Sequence, residues 1–351
     1  MKKVLYQTKC VFTLFFAIVL LLTGCSKKAE EKKAVAVFVP GIVSGSPVYE
    51  MLVKGVQSGV EEYNATLKDG KEAVKVSIIE AGPNQAEWAQ KLTATAATGE
   101  YSIIISSNPS LPDLAVSVAQ QFPEIKFIIL DSHYEGNSQI FTVQYNQREQ
   151  AYLAGYAAGL VTTADKGSMQ YANASKKIAL VAAQEYPVMN NIIFPGFVEG
   201  AKAVDSDITA EFRIVGNWYD ATKGAELARS LYQEGVDVIL PIAGGASQGV
   251  LSAAKELGFY VTWFDDDGYA KAPGYVVSST ALKQDKMAEE LTLKALKNEI
   301  KYGEAETVGI AEGYVEFVED SDIYVSAVAE EIRNKISEKY SEIKEGKLIL
   351  K

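Results

Sequence analysis

Two α/β lobes, each a parallel sheet with helices on both faces, are what this chain predicts. Three observations carry that prediction. Short apolar, β-branched runs alternate with segments of helical period from Ala34 onward, the pattern of strand-helix-strand units rather than of hairpins. The alternation restarts near Lys176, and the restart resembles the beginning. KKAVAV at 32–37 and KKIALV at 176–181 are each followed by a loop and a helix, MLVKGVQSG in the first copy and PGFVEGAKA in the second. The chain has 351 residues, and the part that follows an N-terminal leader is long enough for two domains of ordinary size.

The leader comes first. Lys2, Lys3 and Lys9 form a basic start, 11–22 is apolar, and Thr23 and Gly24 are small residues before Cys25. By charge and length this is a secretory signal peptide over 1–24. A permanent transmembrane helix is the weaker alternative, since roughly 20 apolar residues are needed to span a bilayer. Leu22-Thr23-Gly24-Cys25 resembles the lipobox of bacterial lipoproteins, which implies that Cys25 is acylated (palmitate among the expected chains) and becomes the first mature residue. An ordinary signal peptide cleaved nearby is the plainer alternative. The polar, charged stretch to Lys33 suits a flexible tether over 25–33, and acylation accounts for an exported thiol that has no partner.

The soluble part then reads in order. Strand 34–39 (AVAVFV) is closed by Pro40-Gly41 and followed by helix 49–63, with Met51, Leu52, Val56 and Val60 on one face. Strand 74–79, helix 87–97, strand 101–106, helix 113–121 and strand 127–130 continue the alternation. The second lobe runs from the strand at 177–181 through strand 211–215, helix 222–234, strand 236–240, helix 247–257 and strand 259–263. Strand 275–279, helix 285–299, strand 313–317 and an amphipathic helix near 325–340 complete the chain. Two such sheets leave a cleft at the carboxyl ends of their strands, where open α/β sheets bind ligands.

Composition excludes several classes. The cysteines are Cys10 and Cys25, so the exported part has neither a disulfide nor a thiolate metal site. The formal charge of −11 becomes −14 once the three leader lysines are lost, which disfavours nucleic acid and anionic lipid surfaces as partners. Nucleotide-binding and nucleophile-elbow motifs are absent, and the single histidine, His133, adjoins Ser132 in a way that forms no triad. A hydrolase acting on a nucleoside or flavin is therefore a poor alternative, and no cofactor is expected. A DNA-binding regulator is excluded by export, acidity and the lack of an N-terminal helix-turn-helix.

Several motifs in order then carry a family resemblance. LAGYAAG at 153–159, FPGFVEGAK at 194–202, Asp237-Val238-Ile239 before Ala243-Gly244-Gly245, and Phe264-Asp265-Asp266-Asp267 resemble the basic membrane protein family over about 34–318. These are substrate-binding lipoproteins of ABC importers, similar to spirochaetal purine nucleoside receptors. The resemblance implies the type I periplasmic-binding-protein fold, with lobes joined by three crossovers. We place these near 142, 275 and 304, giving an N-terminal lobe of 34–141 plus 276–303 and a C-terminal lobe of 142–275 plus 304–351. It also implies a monomer on the outer face of a membrane, delivering a small molecule to a permease and its ATPase.

The expected ligand-binding set is Ser46, Tyr49, Asn108, Asp131, Tyr186, Trp218, Gly244, Asp265 and Lys283, with no catalytic or metal-binding residue. Asp131 and Asp265 match the family's cleft aspartates, Trp218 its stacking phenylalanine, Gly244 and Gly245 its close backbone approach, and Lys283 its crossover lysine. Asp266 and Asp267 read as surface or capping residues. The first loop departs from the family. Nucleoside-binding members carry an Asp-rich segment ending Ser-Phe-Asn, whereas here Val48 falls at the phenylalanine and Tyr49 at the asparagine. With Trp218 enlarged and Tyr186 and Tyr145 near strand ends, a wider flat ligand fits, because stacking grows with overlapped area. The resemblance then points to the riboflavin-binding branch as the lead expectation, with a purine nucleoside as the alternative and a ligand-free surface lipoprotein behind both.

Overall fold

Each sheet is built around a buried apolar strand, AVAVFV at Ala34–Val39 (β1) and KIALVA at Lys177–Ala182 (β6). The computed structural model describes residues 34–68, 70–173 and 175–350. The leader, Cys25 and the tether lie outside the described residues.

The first sheet adds β2 (Lys75–Glu80), β3 (Ile103–Ser107), β4 (Lys126–Leu130), β5 (Ile140–Tyr145) and β11 (Ala305–Val308), in the order β11-β5-β4-β3-β1-β2. The second adds β7 (Thr209–Ile214), β8 (Val238–Ile242), β9 (Tyr260–Asp265), β10 (Val276–Leu282) and β12 (Val315–Phe317), in the order β12-β10-β9-β8-β6-β7. Replacing each of β1 to β5 by the strand five places later converts one order into the other. The repeat legible at 32–37 and 176–181 is therefore a duplication of whole lobes. All pairings in the first sheet are parallel, and in the second β12 runs antiparallel to β10. The fold is the bilobed type I periplasmic-binding-protein fold expected, with one antiparallel edge.

The chain passes between the sheets three times, after β5, after β10 and after β11. Sheet pairing moves the expected lobe boundaries. Residues 276–282, assigned above to the first lobe, pair with β9 in the second sheet, and 305–308, assigned to the second, pair with β5 in the first. Strand β5 extends through the boundary expected at 142. The helix after it, α4 below, went unread for a physical reason. It is buried on nearly all sides, so no polar face gives it a helical period.

The helices are α1 (Pro47–Ala65), α2 (Trp88–Ala97), α3 (Leu111–Gln121), α4 (Gln147–Thr162), α5 (Phe194–Lys202), α6 (Ala221–Gln233), α7 (Ser247–Leu257), α8 (Gln284–Leu296), α9 (Asp322–Ala327) and α10 (Glu330–Lys344). The C-terminal helix expected near 325–340 is thus two, separated at Val328, whose backbone is extended. The helix after each of the first two crossovers packs on the first helix of the lobe it enters, α4 on α5 and α8 on α1. Both contacts are made by glycines four residues apart. A methyl on Gly155 would strike the carbonyl of Phe197, one on Gly200 the carbonyl of Tyr152, and one on Gly55 the carbonyl of Asp285. The resemblance of MLVKGVQSG to PGFVEGAKA is this glycine spacing, Gly55 and Gly59 in one lobe and Gly196 and Gly200 in the other.

Gly155→Val must push α4 off α5, and we expect thermal unfolding to show a loss of about 2–3 kcal/mol, the upper part of the overpacking range. An unchanged Tm would contradict this close backbone contact.

Candidate functional site

The candidate cleft is assembled from loops that follow strands. In the first lobe, β1 ends at Val39 and the loop returns through Ser46, which precedes Pro47 at the start of α1 and makes no side-chain capping bond. Tyr49, on the first turn of α1, donates its hydroxyl to Pro40 O at 3.1 Å and receives Asn108 Nδ2 at 3.5 Å. Asn108 follows β3 and shapes its own turn by accepting from Ser110 N at 2.9 Å. Burial raises the Tyr49 phenol above its ordinary range, with Asp131 and Tyr219 adding to the shift and Asn108 opposing it.

Asp131 and Asp265 occupy equivalent places in the two lobes, Asp131 just after β4 and Asp265 as the last residue of β9. Both have left-handed backbones, with φ of 54° and 75°, a region that aspartate tolerates better than most side chains. Both are half-exposed at the surface yet closely surrounded by protein, as groups on the floor of a narrow cleft would be. Burial raises Asp131 to about 8, and the Asp265 charge adds to the rise. Burial raises Asp265 to about 7, with a hydrogen bond from Gln150 opposing the shift and Asp266 adding to it. Tyr186, in the loop after β6, is also held up by burial and by both aspartates. One site therefore gathers Tyr49, Asn108 and Asp131 from the first lobe with Tyr186 and Asp265 from the second.

Trp218 follows β7 and is half-buried. Its loop is set by Asn217, whose side chain accepts from Tyr219 N at 2.9 Å and Asp220 N at 2.8 Å, and by Asp220, which caps α6. Gly244, with φ of 55°, packs on Trp218. An added methyl would lie 3.0 Å from the Trp218 carbonyl and 3.3 Å from its ring. Glycine is required there to let the backbone back the indole.

Lys283 stands apart. Its ammonium pairs with Glu316 on β12, its N–H donates to Tyr314 O at 2.9 Å, and it is not among the groups acting on Asp131 or Asp265. The crossover lysine expected in the ligand set is tied to the sheet edge. Ser46 is not joined to the carboxylates either. Asp266 accepts from Trp263 Nε1 at 2.5 Å and pairs with Lys271, while Asp267 accepts from Tyr269 N. Both are structural.

Sequence reading missed three groups. Gln147 and Gln150 lie on α4, whose helical period was hidden, and each donates to one cleft aspartate, Gln147 Nε2 to Asp131 Oδ1 at 3.0 Å and Gln150 Nε2 to Asp265 Oδ1 at 3.2 Å. Tyr219, 55% exposed beside Trp218, is an aromatic at the cleft near Tyr49. The Asn217-Trp218-Tyr219-Asp220 loop itself could have signalled it.

Residues 32–347 match the family described as "ABC transporter substrate-binding protein PnrA-like". The chain belongs to this family. Among the relatives of this PnrA-like chain are the "ABC transporter nucleoside-binding protein BmpA" of Lactococcus lactis, 26% identical over 71% of this chain and 70% of that one, and "Basic membrane protein C" of Borreliella burgdorferi, 25% identical over 92% and 93%. The fold is shared with a solute-binding protein of an ABC transporter system from Aeropyrum pernix, with TM-score 0.76, 18% identity, and coverage of 91% of this chain and 93% of that one. As a PnrA-like protein the chain is a solute-binding component of an ABC importer.

The raised carboxylates fix a sign for pH. Between the ordinary aspartate range and about 8, the folded protein holds a proton on Asp131 that the unfolded chain lacks. Stability therefore falls as pH rises through that window. Asp131→Asn keeps the shape and tolerates the left-handed backbone, so its Tm should exceed that of wild type at pH 8 and lose the advantage near pH 4. A difference independent of pH would contradict the coupling.

Proposed function

We propose that the protein captures a purine nucleoside in the interlobe cleft. The observation that carries the reading is the pair of strand-end carboxylates, Asp131 and Asp265, facing one site with Tyr49, Tyr186 and, in the neighbouring loop, Trp218. A base takes an aromatic plate, and a ribose supplies hydroxyls that donate to an ionised carboxylate and accept from a protonated one. The family, and the name carried by the lactococcal relative, support the same ligand class. Ligand would enter an open cleft and draw the lobes together about the three crossovers.

Riboflavin is the second reading, favoured by one observation. Trp218 is backed by Gly244, and with Tyr186 and Tyr219 it offers more aromatic surface than a single base needs. Under either reading we infer export, monomeric capture, and anchoring through acylated Cys25 and its tether. The acyl chains supply a membrane affinity that an acidic domain lacks.

Thermal shift and calorimetry on the mature protein test the two readings together. Inosine or guanosine at micromolar concentration should raise Tm and give saturable heat, and riboflavin fluorescence should stay unquenched. Quenching with no nucleoside shift would transfer the assignment to flavin. Trp218→Ala should cost about 1–3 kcal/mol of binding free energy if the indole stacks on the ligand. An unchanged affinity would remove Trp218 from the site.

A further inference from the structure

Helix α4 starts immediately after the first crossover, and its first turn reaches both carboxylates of the cleft. Gln147, half-buried, donates to Asp131, which belongs to the first lobe. Gln150, one turn further and fully buried, donates through the same Nε2 to Asp265 Oδ1 at 3.2 Å and to Thr280 O at 3.1 Å. Its orientation is therefore forced. Both neighbours accept, so the amide N–H groups must face them, and reversing the amide would set oxygen against two oxygens.

Gln150 Oε1 is left buried without a partner. A packing role alone does not account for that, since an apolar side chain of the same shape would leave no unpaired carbonyl. What an apolar side chain could not do is hold the carboxylate of Asp265. Residues three apart on a helix are surface neighbours, so the two glutamines fix the separation of the two aspartates as well as their orientation.

We propose that Gln147 and Gln150 are the positioning pair of this cleft, each fixing one aspartate so that Asp131 and Asp265 are presented to the ligand as a matched pair from opposite lobes. The inference rests on the cleft reading above and assigns neither glutamine a direct ligand contact. It specifies the ligand further, as a molecule that carries no negative charge at this point and has donors for both carboxylates, since a ligand anion would meet two carboxylates already opposed to each other.

The other groups facing the pair are known. Asp131 acts on Tyr49, Tyr186 and Tyr145, and is itself acted on by Asp265. Asp265 also faces Gln150, Asp266 and Tyr186. None of these side chains is a cation, and among the described residues Gln147 and Gln150 donate to the two carboxylates.

The test follows aspartate side-chain ¹³C shifts through a pH titration of the ligand-free mature protein, with Asp131→Asn and Asp265→Asn assigning the two signals. Gln147→Met and Gln150→Met keep length and remove the donor. Loss of a hydrogen bond to a charged group should move Asp131 upward by about one pH unit in the first variant and Asp265 likewise in the second. Gln139→Met is the control. Gln139 also donates to two backbone carbonyls, Phe122 O and Ile125 O, and its loss should leave both titrations in place. Nucleoside affinity should fall roughly tenfold in each cleft variant, the same one-unit effect expressed as binding.

Unmoved titrations in both variants would overturn the proposal, whatever the ligand. Moved titrations with no nucleoside binding by wild type would sustain the positioning pair and overturn the nucleoside reading. Should Gln150→Met fail to fold, Gln147→Met with Asp131 decides the matter alone.

Discussion

The first turn of α4 is the junction on which the two-lobed arrangement depends. Asn146 N–H donates to Val308 O at 2.8 Å, Glu149 accepts from Ile310 N at 2.8 Å, and Gln150 donates to Thr280 O. These bonds join the first crossover to the ends of the strands that carry the other two. Arg148 in the same turn pairs with Glu199 on α5, and the glycine contacts behind it set how closely α4 lies against its lobe. A hinge of three strands holds one geometry only if the strands are tied to each other, and this turn is where they are tied.

The same turn manages an electrostatic difficulty. Asp131 and Asp265 are drawn away from bulk water and act on each other, and both costs fall on the ionised forms. The strand-end positions make the approach possible. Each carboxylate sits on a left-handed residue at the carboxyl end of the fourth strand of its lobe, where a duplicated fold places two equivalent points face to face. Under the proposed function, a ligand that donates to both carboxylates would relieve the opposition and so couple binding energy to lobe closure.

Much of this was legible in the residues. Apolar runs such as AVAVFV, FIIL and KIALV gave strands because a parallel sheet covered on both faces needs continuous rather than alternating hydrophobicity. Asp131, Trp218 and Gly244 were expected through family likeness, supported by their places at strand ends, which in this class of sheet face a cleft. The failures have physical causes. Strand β10 was placed in the wrong lobe because a crossover strand looks the same whichever sheet it joins, and only its partner, β9, decides. Helix α4 hid its glutamines because burial on most sides removes the amphipathic period. Lys283 was expected in the ligand set through family likeness, and its pairing with Glu316 arises from the register of β10 on β12, which aligns Ala281 with Glu316. Pairings of that kind are set across the sheet and leave no local mark in the chain.

Native mass spectrometry of the mature protein, purified without added ligand and then titrated with an equimolar mixture of guanosine and riboflavin, tests the central claim most directly. The account predicts one bound neutral molecule per chain, with the mass of the nucleoside, and its loss when Asp131 and Asp265 are both replaced by asparagine. A bound nucleoside that survives the double substitution, or a chain that takes up neither molecule, would contradict it.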